Sequence, residues 1–156
     1  MDATVKPMLR AILPFLPIVL VLLVLVPIGR APTNQLTVEN AVLRIHLGPW
    51  DKLYCCRGDV VVPVSQVEGV AVSPRRLVPA SGLRLPGTGL PGVIRAGSYG
   101  TGATRDFWNV RRTDTLLVIQ MRPGSAYRRL VLQLPNPTAA ADELRPTLGS
   151  FTGSLG

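Results

Sequence analysis

The pattern of apolar and polar positions changes twice along the chain. Between Ala11 and Ile28 lie eighteen residues without a charge, fourteen of them Leu, Ile, Val or Phe. From Leu36 to Leu134 short apolar runs alternate with polar residues and are cut by Gly and Pro. Beyond Asn136 the apolar positions recur at helical spacing.

Eighteen helical residues reach ~27 Å, close to the ~30 Å hydrocarbon core of a bilayer. Met8, Leu9 and Gly29 can lengthen the run, and Arg10 can snorkel to the headgroups. Pro14, Pro17 and Pro27 each remove a helical donor, but they lie towards the ends and leave Ile18 to Val26 unbroken. The pattern predicts a tail over 1–10 and a transmembrane anchor over 11–29. A cleaved signal peptide is the competing reading, with Lys6 and Arg10 as its charged start. Its apolar region would exceed the usual ~7–15 residues. Gly29-Arg30-Ala31 followed by Pro32 is also a poor cleavage site. The run has no polar face, which argues against a core helix.

Residues 30–35 read as a linker. In the alternating region Leu43, Ile45 and Leu47 share one strand face, while Arg44 and His46 share the other. Glu39-Asn40 can turn one strand into the next. Trp50 to Cys56 reads as one helical turn or an irregular crossing. Asp59 to Pro63, Glu68 to Ser73 and Val93 to Tyr99 read as strands. Pro74 to Gly92, rich in Pro and Gly, reads as a loop. Phe107 to Arg111 and Thr115 to Met121 read as a hairpin about Arg112-Thr113-Asp114, and Arg128 to Leu134 as the last strand. Asn136 can cap a helix that opens on Pro137, with Ala140, Leu144 and Leu148 as its apolar stripe and Pro146 limiting its length. Residues 149–156 read as a flexible tail. The fold class is therefore mainly β with an N-terminal transmembrane helix. About seven strands and one terminal helix, over 36–148, predict a bent antiparallel barrel of the pleckstrin-homology (PH)-like kind rather than an immunoglobulin sandwich, which needs no helix.

Charge narrows the function classes. The chain carries 17 basic and 9 acidic residues, a net +8, and all but Lys6 and Lys52 of the basic ones are arginines. The part after the anchor holds about +7 of this charge. Anionic headgroups attract such a surface by about 1 kcal/mol per well-placed cation. Orientation is nearly balanced. Lys6 and Arg10 against Arg30 favour an N-terminus inside, whereas the Arg-rich domain and its unpaired thiols favour the domain inside. Single-pass placement in the cell membrane follows, with the side of the domain open.

Arg75, Arg76 and Arg84 fall in the long loop, and Arg95 follows in the same 37-residue stretch between Glu68 and Asp106 that holds no acidic residue. These four are the candidate membrane-surface contacts. Eight aromatics in all give little support for nucleic-acid binding. Cys55 and Cys56 are adjacent, so a bridge between them would be strained. One histidine, His46, and two neighbouring thiols make no closed zinc site without carboxylates. A catalytic His46 would need a base–nucleophile–orienter geometry, for which Ser65 and Asp59 are the available groups. Leu85-Pro86-Gly87-Thr88-Gly89 matches a sortase string but lacks the apolar span and basic tail that must follow it. Arg57-Gly58-Asp59 reads as a turn. No catalytic residue, metal, cofactor or small-molecule substrate is called for.

Several segments resemble a family: Gly48-Pro49-Trp50-Asp51-Lys52-Leu53, the run Val61 to Val67, the proline-glycine run Leu83 to Ile94, and Asp106-Phe107-Trp108. They are similar to a group of actinobacterial membrane proteins, of unassigned activity, that carry a bacterial PH-like domain. The resemblance covers about Leu36 to Leu148 and implies the fold and a bacterial source, with no functional residues to transfer. PH domains that hold phosphoinositides gather Lys and Arg near the first strand turn. Gly48 to Asp59 offers only Lys52 and Arg57, which argues against specific inositide binding. The expected function is that of a non-enzymatic, membrane-tethered interaction module contacting a membrane-protein partner or the anionic surface of the lipid bilayer. The alternative is an envelope assembly scaffold that docks through an exposed edge strand.

Overall fold

The computed structural model describes Pro14, Pro17, Ile18, Leu20, Val21, residues 29–79 and residues 82–152. The side chains of Arg84, Pro86 and residues 149–152 fall outside that description. The chain divides into two compact units, Met1–Arg30 and Ala31–Gly156. In the first, Pro17, Ile18, Leu20 and Val21 have helical backbone, and Ile18, Leu20 and Val21 are exposed. The anchor expected over 11–29 lies mostly outside the described residues, and no helix among the described residues is long and apolar enough to cross a membrane.

The second unit is mainly β. Its described residues form nine strands in two sheets, with a C-terminal helix. In chain order they are β1 (Gln35–Glu39), β2 (Val42–His46), α1 (Pro49–Cys55), β3 (Val60–Pro63), a 3-10 turn (Val64–Gln66), β4 (Val67–Pro74), a second 3-10 turn (Arg75–Leu77), β5 (Arg84–Leu90), β6 (Ile94–Tyr99), a third 3-10 turn (Gly102–Thr104), β7 (Asp106–Val110), β8 (Thr115–Met121), β9 (Arg129–Leu132) and α2 (Pro137–Thr152).

β1, β2 and β3 form an antiparallel three-stranded sheet. Asn40 and Ala41 turn β1 into β2, both with positive φ, as a two-residue hairpin loop requires. Alternation decides the buried face: Leu43 and Ile45 pair with Val62 and Val60, and all four are buried. Each fully buried aliphatic side chain of this kind contributes about 1.5–3 kcal/mol.

The second sheet has the order β4-β8-β9-β7-β6-β5. Three expectations change here. Nine strands replace about seven, because the run read as a loop contains β5 and the run Leu36 to Leu47 divides into β1 and β2. Composition misled: Pro86, Gly87 and Gly89 are turn residues, but an edge strand tolerates them. Gly87 has φ +154°, and a Cβ there would lie 2.4 Å from the Ala96 carbonyl oxygen, so glycine is what lets β5 approach β6. Next, the sheet is not wholly antiparallel, since β7 and β9 run parallel. Finally, β7 and β8 form no hairpin. β9 returns from β8 through the turn at Pro123-Gly124 and inserts between them. All five residues of β7 are buried, and its backbone is paired on both sides, by β6 and by β9.

The terminal helix starts as expected. The Ala139 N–H donates to Asn136 Oδ1 at 3.0 Å, and Pro137 takes the first position. Pro146 does not stop it: the helix continues to Thr152, beyond the expected limit at Leu148, because Pro146 is exposed and the carbonyl it leaves unpaired can turn to water. Ala141 and Leu144 are buried, and α2 packs on β4, β8 and the first 3-10 turn.

Candidate functional site

The candidate arginines take three different positions. Arg75 opens the 3-10 turn that leaves β4. Its N–H donates to the Asp114 carbonyl at 2.9 Å, and its guanidinium donates to the Arg111 carbonyl. Arg95 stands on β6, in register with Val110, and its guanidinium lies 4.6 Å from the centre of the Trp108 ring. Together they line an open cleft of about 290 Å³ with Tyr99, Ile94 and the turn Gly89 to Gly92. Burial first, then the neighbouring charge of Arg95, pulls the Arg75 guanidinium below its ordinary pKa, while Asp114 acts the other way.

Two guanidiniums thus share one cleft, and Asp114 is the carboxylate that acts on Arg75. A planar donor fork fits carboxylate and phosphate oxygens, so the arrangement suits an anionic group. Arg76 is exposed and has no ion pair among the described residues. Arg84 pairs with Tyr99 through the backbone, at the far end of β5 from Leu90 on the rim of the cleft, and its side chain lies outside the described atoms. Among the candidate arginines whose side chains are described, the structure brings together Arg75 and Arg95.

Other arginines are committed within the fold. Asp106 is fully buried and receives the guanidinium of Arg128 at 2.9 Å and that of Arg129 at 2.8 Å. Arg111 donates from its guanidinium to Asp51 Oδ1 at 2.7 Å and to Asn109 Oδ1 at 3.0 Å. Asn109 in turn donates to Asn34 at 2.7 Å, and the Thr33 N–H donates to Asp51 Oδ2 at 2.8 Å. This buried network joins α1, β7 and the segment read as a linker. Sequence reasoning missed it. Its one legible sign was an acid, Asp51, within the apolar-rich piece Trp50 to Cys56.

His46 does find partners. Nδ1 is 3.1 Å from Asp59 Oδ2, and Nε2 is 3.2 Å from Thr37 Oγ1. The Lys52 ammonium also holds Asp59, at 3.0 Å. Carboxylate, imidazole and hydroxyl stand in the order of a nucleophilic relay. However, the clefts at Arg95, at Leu36 and at Arg122 are lined by none of the three. The row clamps β1, β2 and the approach to β3. The thiols stay apart: Cys55 is buried, with burial pushing its pKa up to about 12, and Cys56 is exposed. Among the described residues no group of three or more His, Cys, Asp or Glu is placed to hold a metal ion.

No protein-family model, curated protein or solved structure matches the chain.

Proposed function

We propose that the protein is a single-pass, membrane-tethered interaction module of the PH-like kind, whose Arg75–Arg95 cleft contacts the anionic surface of the bilayer. The observation that carries this reading is the meeting of two guanidiniums at one open cleft, in a domain of about +7 charge behind an eighteen-residue uncharged run. A tether raises the local concentration of the domain at the surface, so contacts of about 1 kcal/mol each become effective. The two sheets with a helix packed against β4 and β8 are consistent with a PH-like module. The reading is non-enzymatic.

Two experiments test it. The full chain should resist carbonate extraction from membranes, and deletion of Met1 to Gly29 should release it. A soluble full-length protein, or a mature N-terminus near Pro32, would refute the tether. Residues 31–156 should sediment with liposomes in proportion to anionic lipid and less at high salt. Arg75→Gln and Arg95→Gln should each weaken this by roughly fivefold, with a smaller effect of Arg76→Gln. Equal sedimentation with neutral and anionic liposomes would refute the lipid contact.

A second reading, an envelope scaffold docking through an edge strand, is favoured by one feature. A groove of about 370 Å³ runs between edge strand β1, at Leu36 and Val38, and α2, at Ala140 and Leu144. An added strand could pair with β1 there. A partner that crosslinks from Val38 in native membranes, and is lost on Val38→Lys, would establish it.

A further inference from the structure

The short helix α1 is arranged against the usual rule. Its buried face carries a charged residue, Asp51, together with Tyr54 and Cys55. Its outer face carries Trp50, 45% exposed, and Leu53, 59% exposed. These two stand three residues apart, so they share one face. The inward acid has a clear role, since it is paired with Arg111 and accepts the Thr33 N–H. The outward tryptophan stacks one ring face on Tyr54, 6.4 Å between centroids, yet it and Leu53 stay largely exposed. A tryptophan with an apolar ring and a wet N–H is the side chain most suited to the boundary between hydrocarbon and headgroups.

The path of the chain says what covers this face. The uncharged run ends at Ile28, and the chain is bonded to α1 itself at Thr33. Five residues span at most about 18 Å. Trp50 is the neighbour of the residue that holds Thr33. If 11–28 spans a bilayer, α1 is therefore held within reach of a headgroup layer that is about 5–7 Å thick on each side. The same end of the domain carries the cationic cleft. Arg75 bonds the Arg111 carbonyl, next to the Asp51–Arg111 pair, and the β6 register sets the turn after Leu90 beside the C-terminal end of β7. Leu90 is exposed there as well.

We infer that the outer face of α1, Trp50 and Leu53, seats in the lipid interface and fixes the C-terminal end of β7 against the membrane. This inference rests on the tethered reading and adds a definite orientation to it. The anchor holds the domain near the surface and α1 sets which end faces it; the Arg75–Arg95 cleft lies at that same end, on the Trp108 face of β7 rather than the Arg111 face that α1 covers.

The two tryptophans make the test direct, because Trp108 is fully buried and Trp50 is exposed. The full chain is reconstituted in phosphatidylcholine–phosphatidylglycerol vesicles with either ordinary or brominated acyl chains. Bromolipid should quench the Trp50 share of the emission, Trp50→Phe should abolish the quenching, and acrylamide should reach Trp50 less in vesicles than in detergent. Equal emission in the two vesicles overturns the inference. If acrylamide quenching is also unchanged, the helix faces water; if acrylamide is excluded, a protein surface covers it. A carbonate wash separates the two levels. A chain that leaves the vesicles defeats the tether itself, whereas a retained chain with unquenched Trp50 defeats only the seating of α1.

Discussion

Arg111 at the end of β7 and Asp51 on α1 form an ion pair of 2.7 Å in which both side chains are only 4% exposed. Removing one partner leaves a buried charge without compensation, which costs about 3–5 kcal/mol. Asp51→Ala should therefore lower the urea midpoint strongly. Asp51→Ala combined with Arg111→Met should cost much less than the two single changes together, because the second removes the orphaned charge. Additive losses would show that the pair is not coupled.

Gly87 is the residue that lets β5 lie on β6. Gly87→Ala places a Cβ against the Ala96 carbonyl oxygen at 2.4 Å and requires a backbone conformation that alanine disfavours. We expect a loss of about 1–3 kcal/mol, typical of overpacking. Hydrogen exchange should speed up in the backbone amides that pair β5 with β6, while those of β8 keep their protection. Unchanged exchange at Thr88 and Ala96 would contradict the close approach.

Asp59 links stability to acid. The Leu47 N–H and then Lys52 hold its carboxyl down from 3.8 to about 2, with a smaller share from His46. Because the folded pKa is depressed, this contribution is complete above the unfolded value and is lost as pH falls from about 4 to about 2. Urea titrations across that range should show a decline that Asp59→Asn flattens at this site. Parallel pH profiles for the two proteins would exclude the assignment.

The local elements were legible where short-range chemistry decides them. The Asn136 cap followed by Pro137 marked the start of α2, and it holds to the hydrogen bond. Inward Leu43 and Ile45 against outward Arg44 and His46 marked β2. Strand β5 was hidden because glycine and proline signal turns locally, while an edge position tolerates both for reasons of sheet geometry. Partnership between strands was hidden too. Arg112-Thr113-Asp114 looks like a hairpin turn, yet β9 enters between β7 and β8.

The candidate site divides in the same way. The acid-free stretch pointed to Arg75 and Arg95, but their meeting depends on the Arg75 turn docking on the carbonyl of Arg111, 36 residues away. Periodicity could not reveal that Asp51 faces inward and Trp50 outward, because burying an acid is favourable only when Arg111 arrives to pair with it.

By itself the sequence determined the uncharged run, the basic surplus, most strand positions and the capped helix, since these follow from composition and from contacts a few residues apart. Only the tertiary structure decided the order of the strands, the parallel β7–β9 pair, the Arg75–Arg95 cleft and the inverted face of α1. Each of these depends on which distant groups meet, and the favourable term appears only once they have met and excluded water.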